Sequence, residues 1–201
     1  MPRRIRYQVA ASLDGYIAGP NGEADWIVMD PEIDFGELFN QFDTLVMGRG
    51  TFESMVRQQG SAAMPGMKIM VVSRTLTQKD HPDVTIIADP SEEVLTTLRN
   101  ESGKDIWLFG GGSLFRSLLE IRMVDTVEIA VMPVLLGGGI LLLPTPAART
   151  KLRLTGHRVY KKTGIVLLEY AVEYSAPAKR RGRSGGARRT IASADKRFGR
   201  G

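Results

Sequence analysis

The chain has 201 residues, of which 43% are hydrophobic and 24% charged. That is enough for one ordinary globular domain with a sizeable core. It contains no cysteine and only two histidines, His81 and His157. Disulfides, thiol nucleophiles and thiolate metal sites are therefore excluded, and no histidine metal cage or catalytic triad is expected. The net charge of +5 is unevenly placed: residues 175–201 hold nine Lys/Arg and one Asp, leaving 18 basic and 21 acidic residues before them.

In chain order, Ile5, Tyr7, Val9 and Ala11 alternate with Arg4, Arg6 and Gln8, the period of a half-buried strand. The start is basic but then alternates, so it lacks the unbroken apolar run of a signal peptide. Residues 12–25, with three glycines, read as a loop. Ile33, Phe35, Leu38, Phe39 and Phe42 sit near helical spacing and predict a helix over 31–42. A short apolar run over 44–47 ends at Gly48, and 51–58 reads as a second helix. Strands are expected over 67–72 and 84–88.

Asp89-Pro90-Ser91-Glu92 has the residue types of a helix start, with Asp89 as N-cap. Val94, Leu95 and Leu98 would form that helix's buried face, and Gly103 would end it. An apolar run over 106–109 enters Gly110-Gly111-Gly112-Ser113, and Leu114, Phe115, Leu118 and Leu119 trace the next helix. Residues 129–148 carry no charge over twenty positions, the length of a membrane span. Pro133, Pro144, Pro146 and Gly137-Gly138-Gly139 make strand, turn and strand the better reading, with no membrane partner. A strand over 124–131 and a hairpin over 159–174, turned at 161–164, complete the pattern. Helices alternate with strands to about residue 120 and strands follow, which predicts a mostly parallel α/β sheet with antiparallel strands added last. The domain is expected over 1–174. Residues 175–201 are rich in Gly, Ser, Ala and Arg, predicting a disordered basic tail; nucleic acid is conceivable as a partner only through it.

Three strand-to-loop junctions have the chemistry of an anion site. At 110–114 a strand runs through glycines straight into a helix, whose free N–H groups attract phosphate. The same run serves equally as a tight turn. Gly48-Arg49-Gly50-Thr51 and Ser73-Arg74-Thr75 each put an arginine and a hydroxyl after an apolar strand, where ligands of open α/β sheets bind. Asp14 either accepts hydrogen bonds from a polar heterocycle or stabilises its own turn. Trp26 offers an aromatic face to a planar ring, or belongs to the core.

Taken in order, SLDGYIAGPNGEADW (12–26), LVMGRGTFES (45–54), MVVSRT (70–75), IWLFGGGSLFRSLL (106–119) and VMPVLLGGGILLLP (131–144) resemble the dihydrofolate reductase superfamily. The closest branch is the stand-alone proteins similar to the reductase domain of riboflavin biosynthesis, the RibD C-terminal domain. The resemblance covers about residues 4–174 and implies a three-layer dihydrofolate-reductase-like fold, an NADPH cofactor, a cytoplasmic enzyme and a homodimer.

By matching position, Gly48, Arg49 and Thr51 would hold the pyrophosphate and 2′-phosphate region. Ser73 and Arg74 would meet the 2′-phosphate, and Gly110, Gly111, Gly112, Ser113 and Leu114 the pyrophosphate. Ala10 and Ile17 would lie near the nicotinamide. On the substrate side Asp14, Trp26 and Phe35 are the candidate contacts, and Asp14, Glu32 and Asp34 the candidate proton donors beside water. The function implied is hydride transfer to a small planar pteridine- or pyrimidine-like substrate. The alternatives are dihydrofolate reductase proper, a nucleotide-binding protein without catalysis, and nucleic-acid binding through the tail.

Overall fold

The computed structural model describes residues 2–174; the basic tail lies outside them. Among the described residues there are ten strands: β1 (Ile5–Ser12), β2 (Tyr16–Ala18), β3 (Phe42–Gly48), β4 (Lys68–Val72), β5 (Thr85–Ile87), β6 (Asp105–Gly110), β7 (Thr126–Met132), β8 (Ile140–Leu141), β9 (Lys151–Tyr160) and β10 (Ile165–Glu173). Four helices lie between them: α1 (Phe35–Phe39), α2 (Arg49–Gln59), α3 (Glu92–Asn100) and α4 (Gly112–Glu120). Eight strands make one sheet in the order β5-β4-β3-β6-β1-β7-β10-β9, while β2 and β8 pair separately. β1 runs parallel to β6 and β7, and within this sheet the antiparallel pairings are those of β10 with β7 and with β9. This is the expected mixed, mostly parallel sheet with a C-terminal antiparallel hairpin.

Strand alternation sorts the core into two faces. Ile5 and Tyr7 of β1, Ile106 and Leu108 of β6 and Val46 of β3 pack with Leu95 and Leu98 of α3 and Leu114, Phe115 and Leu118 of α4. The intervening residues point the other way: Leu45, Met47, Ile69, Val71 and Trp107 pack with Phe52 of α2. Farther along that second face, Met132, Tyr160 and Ile165 gather Ala10, Trp26, Ile27 and Ile33.

At the amino ends of the central strands a buried ion pair ties the sheet together. The Arg6 guanidinium donates to both carboxylate oxygens of Glu128, at 2.7 and 2.6 Å, and to Gln41 at 2.7 Å. Its charge also sits 4.8 Å from the Phe42 ring centroid.

Several boundaries differ from the sequence reading. The helix expected over 31–42 shrinks to five residues. Asp34 caps it by accepting from the Glu37 N–H, and Phe42 is already paired in β3. Ile33 belongs to the loop and packs beside Met132. Ser91, not Asp89, caps α3 through the Val94 N–H, and the Val94 side chain is exposed. β9 begins at Lys151, eight residues before the expected hairpin, because Lys151, Arg153 and Arg158 hide its strand pattern. A register shift at Glu169/Tyr170 then breaks the alternation.

Candidate functional site

Two helices open at the carboxyl ends of adjacent strands. β3 passes through Gly48 into α2, and β6 through Gly110-Gly111 into α4. Neither N-cap is a side chain, and neither helix has an acid in its first turn. The first N–H groups of both helices therefore lack the usual internal partners. The two ends face each other. A Cβ placed on Gly48 would lie 3.8 Å from the Gly111 nitrogen and 3.9 Å from the Gly110 oxygen. The Thr51 hydroxyl stands 3.4 Å from the corresponding position on Gly111.

The glycines divide by what requires them. A Cβ on Gly48 or Gly111 meets only ordinary contacts, so protein packing does not demand glycine there. Their bareness leaves backbone open between two positive helix ends, a seat that fits a pyrophosphate. Gly112 is different: a Cβ would collide with the Leu141 carbonyl oxygen and approach that of Leu142 at 2.9 Å. Gly112 is thus a packing glycine, and Leu114 is buried in the core. Ser113 is exposed at the start of α4, where its carbonyl accepts from Ser117.

The flanking arginines remain available. Arg49 is exposed, its nearest carboxylate that of Glu53 at 3.8 Å. Arg74, at the end of β4, is exposed and forms no ion pair among the described residues. Ser73 is buried, and its hydroxyl accepts from the Thr75 and Leu76 N–H groups at 3.2 and 3.0 Å. It shapes the turn that presents Arg74.

Next to β6 in the sheet comes β1, with the loop after it, and α1 lies against β3. Ala10, Trp26 and Ile33 all pack against the cluster of Met132, Tyr160 and Ile165, while Ile17 sits half-buried in β2. The Trp26 indole donates to the Glu23 carbonyl at 3.1 Å. Phe35 is half-buried and leans on Phe39, which in turn leans on Trp107.

The three acids singled out from sequence are all engaged. Asp14 accepts from the Leu136 and Gly137 N–H groups at 3.1 and 2.7 Å. The Ser12 hydroxyl and those two N–H groups hold its carboxyl below the usual range, so it stays ionised at neutral pH. Glu32 faces Arg158 at 3.6 Å, and Asp34 caps α1.

The buried acid on this side is Asp30, only 2% exposed. It accepts from the Thr163 hydroxyl at 2.7 Å and the Glu32 N–H at 2.8 Å. The Thr163 bond is the main influence holding its carboxyl below the ordinary carboxylate range. A carboxyl depressed on folding stabilises above its unfolded value and releases that contribution as pH falls through the folded one. The link between this loop and the β9–β10 turn is therefore acid-sensitive. Its bond to Thr163 has no local signature, because that partner lies 133 positions away.

This arrangement, two bare helix ends beside an acidic loop on a β5-β4-β3-β6-β1-β7-β10-β9 sheet, can be compared with known proteins. The model of the RibD C-terminal domain matches residues 3–166. The chain belongs to the RibD C-terminal domain family. Beyond the RibD C-terminal domain match, the protein YyaP of Bacillus subtilis (strain 168) is 34% identical over 179 residues, covering 84% of this chain and 94% of YyaP.

A putative riboflavin biosynthesis protein from Shewanella sp. PV-4 superposes with a TM-score of 0.72 at 26% identity, over 87% of this chain and all of its own. Dihydrofolate reductase from Enterococcus faecalis, solved with NADP(H) and RAB-propyl, gives 0.63 at 18% identity, over 85% of this chain and 97% of its own. That last likeness speaks for the fold alone. The RibD C-terminal domain is thus a dihydrofolate-reductase-like fold, as its motifs implied.

Proposed function

We propose that this protein is an NADPH-dependent reductase of a small planar heterocycle. The observation that carries the reading is the meeting of the two uncapped helix ends at Gly48 and Gly110-Gly111, with Arg49 and Arg74 on their flanks. Such a seat suits a dinucleotide: backbone N–H groups for the pyrophosphate and a free guanidinium for the 2′-phosphate. When bound, NADPH supplies the hydride.

The chain's own work is positioning. Ala10 and Ile17 border the nicotinamide end, and Trp26 and Phe35 offer flat apolar surfaces to the substrate ring. Asp14 holds the first loop in place rather than giving up a proton, because its carboxylate already accepts two backbone N–H groups. Solvent entering the cleft is the proton source this geometry favours.

Titration with NADPH and NADH, followed by fluorescence of the two tryptophans, Trp26 and Trp107, tests the cofactor seat. Arg74→Ala is expected to weaken NADPH by about tenfold or more, roughly 1.4 kcal/mol, and NADH far less. Equal losses for both nucleotides would remove Arg74 from the 2′-phosphate, and no binding of either would sink the reductase reading.

A specific surface favours pairing with a second copy. Leu152, Leu154 and Val159 of β9 are 38, 51 and 53% exposed on the sheet face that carries α4. They continue an open apolar groove of about 400 Å³ whose walls include Phe115, Val127, Ile129 and Leu142. Sedimentation should give a dimer mass, and Leu154→Arg a monomer; a monomeric parent protein would refute the pairing.

A further inference from the structure

The sheet face that carries α4 is only partly covered. α3 and α4 pack over β1, β6 and β3, and β10 is the last element of the described chain, so β10 and β9 keep an apolar side open. Val166 stands opposite Val131 of β7, and Leu168 opposite Ile129, and all four are half-buried. The rest of the chain holds little to close this face. Residues 175–201 contain two large apolar side chains, Ile191 and Phe198, against nine Lys/Arg. A segment of that composition has too little apolar surface for the task. A second copy brings the same apolar face, and a two-fold contact joins a patch to itself.

His157 stands within this face. Its partner across β10 is Leu168, and along β9 it lies between Val159 and, past the register shift, Leu154. It is exposed, and it forms no hydrogen bond or ion pair among the described residues. The other titratable and charged groups on this side are few. β10 contributes Tyr170, opposite Leu154, and the groove beside β9 contributes Arg149. Glu120 of α4 faces Arg116 at 3.8 Å. The carboxylates of β7 and β10, those of Glu128, Glu169 and Glu173, alternate to the opposite face. No acid of these strands is in place to hold an imidazolium.

Closing the face takes His157 out of water. A neutral ring tolerates that, whereas a charged ring without an acid beside it does not. Histidine changes charge between about pH 5 and 8. We infer that His157 gates the pairing of two copies: the neutral imidazole lets the β9–β10 faces close, and protonation keeps them apart. This gate rests on the pairing reading given above. Each copy must shed a proton to associate, so pairing weakens as pH falls.

Sedimentation equilibrium from about pH 8 down to about pH 5.5 tests it. The dimer dissociation constant should rise about tenfold for each histidine that must lose its proton, roughly 100-fold for the two. His157→Leu should remain a dimer with the same constant at both ends of the range, and His157→Lys should be monomeric at both. His81 lies edge-on to Phe52 on the opposite face, so His81→Gln should keep the parent's pH dependence. The gate is overturned, with pairing left standing, by a parent dimer whose constant ignores pH. A pH dependence that survives in His157→Leu, or a His157→Lys protein that still pairs, overturns it equally. A parent that is monomeric even at the alkaline end strikes the pairing itself.

Discussion

Gly48→Asp is expected to abolish NADPH binding while leaving the protein as stable as before. Gly48 has φ −81° and ψ 163°, the extended geometry of an ordinary N-cap, and aspartate is among the preferred residues there. Its carboxylate would accept the free N–H groups at the start of α2, which changes stability by a few tenths of a kcal/mol, about the measured spread between Gly and Asp caps. The same carboxylate occupies the groups a pyrophosphate needs and adds a negative charge beside it. A loss of at least about 100-fold in affinity, roughly 2.7 kcal/mol, is the expected result. Fluorescence titration and a thermal melt on the same sample separate the two effects. If NADPH still binds within about threefold, by the same logarithmic scale, the phosphates do not sit between Gly48 and Gly111.

Arg6→Leu should destabilise the fold more than any surface change. Arg6 and Glu128 are 9% and 4% exposed, and their pairing is bidentate. Removing the guanidinium leaves Glu128 buried with the Thr126 hydroxyl as its remaining side-chain donor. Breaking one side of such a pair costs about 3–5 kcal/mol, a large share of a typical domain's stability. The double variant Arg6→Leu/Glu128→Leu should recover most of that loss, because it removes the stranded charge along with the pair. Urea unfolding of both variants measures it. A single variant within about 1 kcal/mol of the parent would mean that Glu128 finds water or a proton once Arg6 is gone.

What could be read from the sequence follows from where each signal resides. The junction at 106–114 was legible because an apolar strand, glycines and an amphipathic helix are consecutive, and the fold keeps them so. Even there, the glycines looked alike in sequence, and only the fold separates Gly112, pressed against Leu141, from Gly111, where a Cβ would meet only the Thr51 hydroxyl in ordinary contact. The roles of the acids were not legible. Asp14 answers to Leu136 and Gly137, and Asp30 to Thr163, each more than a hundred positions away. Helix α1 was overdrawn because Ile33, Phe35 and Phe42 have helical spacing yet serve a loop, a helix and a strand in turn. Periodicity reports which residues want burial; it does not report whether one element buries them all.

The loops that follow β1 and β7 are stitched into one body. Asp14 clasps Leu136 and Gly137, Gly15 accepts from the Leu142 N–H, β2 pairs with β8, and Gly139 lies against the Ala18 carbonyl with no room for a side chain. Neither loop can swing as a flap without dragging the other. A change of length in one loop would have to be met by a matching change in the other, so the two are best redesigned as a single part. Grafting only the first loop from a relative into this scaffold is the exchange least suited to survive.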